Sequence, residues 1–202
     1  MPELFSVNEA AAIAEVSPET IRMALEKKSV VPAGKRKTGK TVRYQFSIGD
    51  VRFIKVLDEF PFPLSKRDKQ CLAQILAPGK KLGGPWSMQG PDLIYSAGSV
   101  RMSFQCKTIR ETVDRNAAVL RWGKKRVVSA DGIMGGEPVF RGSRIPLRHV
   151  ASLFRKGVAE EEIREDFPRL NARDLAYARL FSRCGEKPGR PRKRLKLHPL
   201  AN

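Results

Sequence analysis

Arginines and lysines at close spacing are the residues of this chain with usable chemistry. Lys27, Lys28, Lys35, Arg36, Lys37, Lys40 and Arg43 follow one another between Glu26 and Asp50 with no acid among them. A cation with no carboxylate beside it stays available for phosphate oxygens, and a planar guanidinium takes such oxygens two at a time. A second basic run closes the sequence, where residues 186–202 hold six Lys and Arg against Glu186. Across the chain 39 Lys and Arg face 21 Asp and Glu, a formal net charge of +18. That excess goes beyond what solubility requires and points to a polyanionic or acidic partner. The charge is placed by segment, because residues 131–185 are nearly balanced at ten bases to eight acids.

Other chemistry is thinly supplied. The two histidines, His149 and His198, lie in a basic helical stretch and in the tail, and neither a Gly-x-Ser-x-Gly elbow nor a phosphate-binding Walker loop is present. Glu160, Glu161 and Glu162 suit the first turn of a helix better than a metal cage. Cys71, Cys106 and Cys184 are odd in number and far apart, which fits reduced thiols in packed helices rather than a disulfide framework or a zinc site. The expectation is a protein that binds rather than catalyses, without metal or cofactor. No apolar run approaches the roughly 20 residues of a membrane span, and Met1-Pro2-Glu3-Leu4 is no secretory leader. A cytoplasmic protein is expected.

The elements that must carry the first basic run are legible from caps and spacing. Ser6-Val7-Asn8-Glu9 is a capping box opening a helix with Val7, Ala10, Ala11 and Ala14 on one face. Ser17-Pro18-Glu19-Thr20 starts another, capped by Ser17 with Pro18 in its first turn. Ile21, Ala24 and Leu25 share its buried side, leaving Glu19, Thr20, Arg22, Met23 and Lys27 for solvent or a DNA groove. Val30-Val31-Pro32 and Val42-Arg43-Tyr44-Gln45-Phe46 read as strands joined by a basic turn at Thr38-Gly39, and Ser47 to Asp50 caps a helix carrying Val51, Ile54 and Leu57.

Helix, tight turn, helix and basic hairpin over residues 5–60 resemble the winged helix-turn-helix of MerR-type regulators. Phe5-Ser6-Val7, Val16-Ser17-Pro18-x-Thr20-Ile21-Arg22 and Arg43-Tyr44 carry the resemblance. It implies that the second helix enters a major groove while the wing grips phosphate. Ser17, Thr20, Arg22, Lys27, Lys35, Arg36, Lys37, Lys40, Arg43 and Tyr44 are then the expected DNA-binding residues. Lys35, Arg36, Lys37 and Lys40 would position the protein on the backbone, and Thr20 and Arg22 would meet base edges.

Phe60-Pro61-Phe62-Pro63 breaks the chain after this module. Beyond it come a helix capped by Ser65 to Asp68, a Gly/Pro-rich loop over 83–91, a hairpin of Leu93-Ile94-Tyr95 with Val100, Met102 and Phe104, and a helix from about Lys107 to Trp122. Trp86 and Trp122 read as core residues. Strand edges in this region are one route to a homodimer.

Gly135-Gly136-Glu137-Pro138-Val139-Phe140-Arg141-Gly142-Ser143-Arg144-Ile145-Pro146 is built for one backbone path. Gly136 and Gly142 suit positive φ, and Pro146 suits the first position of a helix reaching Lys156 with Gly157 as its stop. A second helix begins at Glu160 and ends before Pro168, and a third is capped by Asn171 and Asp174. Read with Gly157, Glu161-Glu162-Ile163, Phe167-Pro168-x-Leu170 and Asp174, this run resembles VapB-type antitoxins encoded beside PIN-fold nuclease toxins. Ser143 stands where that family usually has Thr, and Ala159 where it has a Ser or Thr cap.

The resemblance implies a flexible end that wraps a cognate toxin. Arg190, Arg192, Lys193, Arg194, Leu195 and Leu197 are the expected toxin contacts, the arginines pairing with clustered metal-binding carboxylates and the leucines filling apolar notches. Pro188-Gly189-Arg190-Pro191-Arg192 is also similar to the core of an AT-hook, and a solubilising basic end is a third reading.

The expectation is thus a mainly α chain with short β hairpins (α+β): a winged helix-turn-helix over 1–60, an α+β connecting and dimerisation region over 61–130, a three-helix domain entered by a hairpin over 131–185, and a basic tail over 186–202. Its expected function is that of a type II antitoxin that binds a PIN-fold ribonuclease and represses its own operon on double-stranded DNA, as a homodimer or as a larger complex with toxin. The alternative is a stand-alone DNA-binding regulator or architectural factor.

Overall fold

Side-chain caps set where most helices begin. The computed structural model describes residues 3–38, 41–61, 63–76, 84–129 and 136–184, a mainly helical α+β arrangement with small antiparallel sheets. Ser6 caps α1 (Val7–Ala14) in a closed capping box with Glu9, and Ser47 caps α3 (Ile48–Glu59) with Asp50. Ser17 accepts from the Thr20 amide to start α2 (Pro18–Glu26). Each such cap is worth about 1 kcal/mol.

The first sheet has the order β1 (Phe5–Ser6), β3 (Thr41–Phe46), β2 (Gly34–Thr38). The first wing strand is the basic run itself and not Val30-Val31-Pro32. Pro32 has no amide to give a ladder, whereas Gly34 to Thr38 pairs residue by residue with β3. Lys35 stands opposite Tyr44, Arg36 opposite Arg43 and Lys37 opposite Val42.

The second sheet runs β4 (Trp86–Gln89), β5 (Asp92–Ala97), β6 (Val100–Phe104), next to α4 (Lys66–Leu76). The stretch read as a loop over 83–91 thus holds a strand. Its four residues are too few for a period-2 pattern to stand out, and Gly90 at φ 61° with Pro91 only turns its end. Trp86 is buried as expected, its indole N–H donating to Asp68 at 2.7 Å and its ring lying edge-on to Tyr95.

The longest described helix, α5 (Lys107–Arg126), buries Ile109, Val113, Ala117, Leu120 and Gly123 in one stripe. It packs against α1, α3 and α8 (Ala172–Arg183), so a single helix touches both the N-terminal and the C-terminal elements. It continues one turn past Trp122 because Arg126 is anchored: its guanidinium donates to the Asp174 carboxylate at 2.9 and 3.3 Å and to the Arg141 carbonyl. Asp174 is fully buried and also accepts from the Asn171 amide at 3.1 Å, closing the cap of α8. Gly123 lets α5 and α8 touch, since a Cβ there would lie 2.1 Å from the Tyr177 ring.

The hairpin β7 (Val127–Val128) with β8 (Val139–Phe140) leads into α6 (Leu147–Arg155), α7 (Glu160–Asp166) and α8. Gly136, Gly142 and Gly157 take φ of 83°, 76° and 80°, as their places in the sequence require. Pro146 is the N-cap of α6 rather than its first helical residue. Its ψ of 133° is extended, and its carbonyl accepts from His149. Ala159 leaves α7 without a side-chain cap.

Candidate nucleic-acid interface

A cleft of about 480 Å³ opens between α2, the wing and the start of α1. Arg22, Leu25 and Glu26 line it from α2, Val42, Arg43 and Tyr44 from β3, and Ser6, Val7 and Asn8 from the first turn of α1. Small residues allow this convergence. Ala10, Ala11, Ala12 and Ala14 are wholly buried, so α1 lies close to α2, α3 and β3. Phe5 pairs with Phe46 across β1 and β3, which brings the α1 start beside the wing.

Of the residues expected on DNA, Arg22, Arg43 and Tyr44 meet in the cleft. Lys35 shares a strand face with Tyr44, its ammonium 5.8 Å from the ring centroid. Arg36, Lys37 and Lys27 are exposed, Lys27 as the C-cap of α2. The Ser17 and Thr20 hydroxyls lie 2.9 Å apart within the helix cap, which commits both to holding the start of α2. Arg22 is paired with Glu19 at 3.1 Å, both side chains more than half exposed. Lys40 and the tail residues Arg190, Arg192, Lys193, Arg194, Leu195 and Leu197 lie outside the described residues.

Among the described residues, Lys35, Arg36, Lys37 and Arg43 have no carboxylate partner. Arg36 and Arg43 are cross-strand neighbours of like charge, an arrangement that costs stability unless an anion sits against it. Exposed Val42 adds apolar surface beside Arg43, and Met23, next to Arg22 on α2, is exposed as expected. Ser6, Val7 and Asn8 were not expected as part of this surface. They join it through the pairing of β1 with β3, which no local pattern announces.

The turn between α1 and α2 is clamped from behind. Glu15 sits in the left-handed region at φ 57°. Asn116 of α5 donates to the Ile13 carbonyl at 3.0 Å and to the Glu15 carboxylate at 3.3 Å, and Arg183 of α8 pairs with the same carboxylate. Burial pushes the Glu15 carboxyl up, but the Arg183 guanidinium and the Asn116 amide outweigh it and hold it below the ordinary value. Glu9 follows the same balance, with Lys124 at 2.7 Å and Ser6 overcoming burial.

Residues 127–181, from β7 into α8, match the family described as "Protein of unknown function (DUF433)". Over 66 residues, 33% of this chain, the sequence is 35% identical to "Uncharacterized protein y4eO" of Sinorhizobium fredii (strain NBRC 101917 / NGR234). The chain spans 30% of the length of that relative. No solved structure matches the chain. The family match begins after the winged module and leaves it outside. No described helix is long and apolar enough to cross a membrane.

Proposed function

We propose that this chain is a DNA-binding regulator of the antitoxin kind, acting by contact and catalysing no reaction. One observation carries the DNA-binding half: Arg22, Arg43 and Tyr44 line a single cleft beside wing cations that no acid among the described residues neutralises. In this reading α2 lies in the major groove and β2 and β3 hold the flanking phosphates, so the wing sets register and α2 reads bases. Arg22 can exchange Glu19 for a guanine edge at small cost, because so exposed an ion pair is worth less than about 1 kcal/mol.

The antitoxin half is supported by the resemblance of residues 135–174 to the VapB type and by the charge of the tail. Arg190, Arg192 and Arg194 would neutralise the metal-binding carboxylates of a PIN-fold nuclease. Co-expression with the product of the neighbouring gene tests this: a stable complex and relief of growth arrest are expected. Deleting residues 186–202 should abolish neutralisation while retardation of the chain's own promoter DNA persists. If promoter DNA is retarded and nothing co-purifies, the chain is a stand-alone regulator. If the deletion removes DNA binding instead, the tail is a minor-groove arm.

A further inference from the structure

Away from the wing, α5 and α8 meet along a seam that is open to solvent. Arg115, Ala118, Val119, Trp122 and Arg173 line a groove of about 270 Å³ there, with Trp122 half-buried rather than plugged into the core. Among the described residues Arg115 has only a 3.4 Å contact with the Thr112 hydroxyl, and Arg173 has no partner. Two guanidinium groups flanking an indole and two small apolar side chains form the kind of surface on which an acidic partner anchors.

The groove does not stand alone. It continues, through Arg115 and Val119, into a second depression of about 320 Å³ that reaches Glu160, the first residue of α7. From there α7 presents Glu161, Glu162, Glu165 and Asp166 to solvent, all exposed and none paired among the described residues. In a chain of net charge +18, this is a local concentration of acid on a helix whose first residue, Glu160, shares the second depression with Arg115. A nucleic acid suits such a face poorly. Glu15 and Glu160 along this path are answered by Arg183, Arg164 and Arg179, so the acids that remain to repel phosphate are the exposed α7 carboxylates. A partner carrying the same two features in reverse order suits it well. About a twofold axis, an α7 ridge of one copy set against the Arg115 and Arg173 rim of the other would form the reciprocal contact at the same time.

We propose that this chain forms a homodimer in which the α7 carboxylates of each copy dock on the Arg115, Trp122 and Arg173 groove of its partner. The contact uses neither the wing nor the tail, so it does not rest on DNA or toxin binding. It also differs from pairing through the edges of the second sheet.

Charge exchange on the full chain tests it by sedimentation equilibrium. The native protein should run at twice 22.6 kDa at micromolar concentration. Arg115→Glu with Arg173→Glu should weaken self-association about tenfold or more, and Glu161→Arg with Glu162→Arg should do the same. An equimolar mixture of the two variants should recover the dimer mass, since each hybrid pair restores one reversed contact and keeps one native contact. Thermal melts check that both variants remain folded, and Arg115→Ser with Arg173→Ser serves in place of the reversal if that variant does not. A native monomer, reversed variants that keep the dimer mass, or a mixture that stays monomeric would each overturn the proposal. A groove variant that keeps the dimer mass but no longer retards promoter DNA would assign the groove to nucleic acid and overturn it as well.

Discussion

The wing and the outer side of α5 are built from the same residue types and use them in opposite ways. On and around α5, most cations are answered. Arg52 of α3 reaches Asp114 at 2.6 Å, Arg121 reaches Glu3 at 3.0 Å, Lys124 reaches Glu9 at 2.7 Å and Arg126 reaches Asp174 at 2.9 Å. Each pair joins segments distant in sequence, so the charge there serves cohesion. On the wing, Lys35, Arg36, Lys37 and Arg43 face no acid among the described residues, and the two arginines face each other. Net charge alone does not separate the two uses. What separates them is whether the fold brings a carboxylate within reach, and a cation left unanswered on the β2–β3 hairpin beside α2 is free for an outside anion.

Removing charges from each region should therefore damage different properties. The largest effect is expected for Arg126→Ala, which leaves the buried Asp174 carboxylate without its partner at a cost of about 3–5 kcal/mol. For a chain of this length that is a fall in melting temperature of roughly 2–4 °C per kcal/mol, measurable by calorimetry. A melt indistinguishable from that of the native protein would break the claim that the paired cations of α5 are structural. Gly123→Ala comes next: the added methyl meets the Tyr177 ring, and overpacking of about 1–3 kcal/mol should appear in the same measurement.

Lys35→Ala, Arg36→Ala and Lys37→Ala together should not lower the melting temperature, since Arg36 faces the like charge of Arg43. DNA affinity should fall across all sequences, and the slope of log affinity against log salt should flatten by up to about 0.9 for each lost phosphate contact. Equal loss of stability and affinity would erase the contrast between the two regions.

The smallest effect is a pH dependence. Glu9 and Glu15 have carboxyls held below their ordinary value of 4.5, so the stability they add is complete above that value. It is lost as pH falls through their lower folded values, because the unfolded chain then binds the protons more readily. Chemical denaturation at falling pH should show this loss, and Glu9→Gln with Glu15→Gln should reduce it. An unchanged acid limb in the double variant would mean that these carboxylates do not tie α1 to α5 and α8.

Local signals were well written in the sequence. The Ser6, Ser17, Ser47 and Asn171 caps, the positive-φ glycines 136, 142 and 157 and the buried stripe of α5 all act within a few residues, and caps, turns and helical periodicity depend on neighbours at three or four positions. The basic character of residues 27–49 was legible for the same reason, although its strand was misplaced at Val30 to Pro32. Pairing across long separations was not legible. The strand at Trp86 to Gln89, the last turn of α5 and the Ser6, Val7 and Asn8 wall of the cleft all exist because a partner far along the chain supplies hydrogen bonds or a counter-charge.

The sequence by itself determined where helices start, where the backbone must take positive φ, and which segments carry surplus positive charge, since each is a property of adjacent residues. Tertiary structure alone decided which cations remain free. Whether Arg126 meets Asp174, Glu15 meets Arg183, or Arg43 stands opposite Arg36 depends on which segments the fold brings together, and Coulomb attraction within about 4 Å outweighs anything composition records.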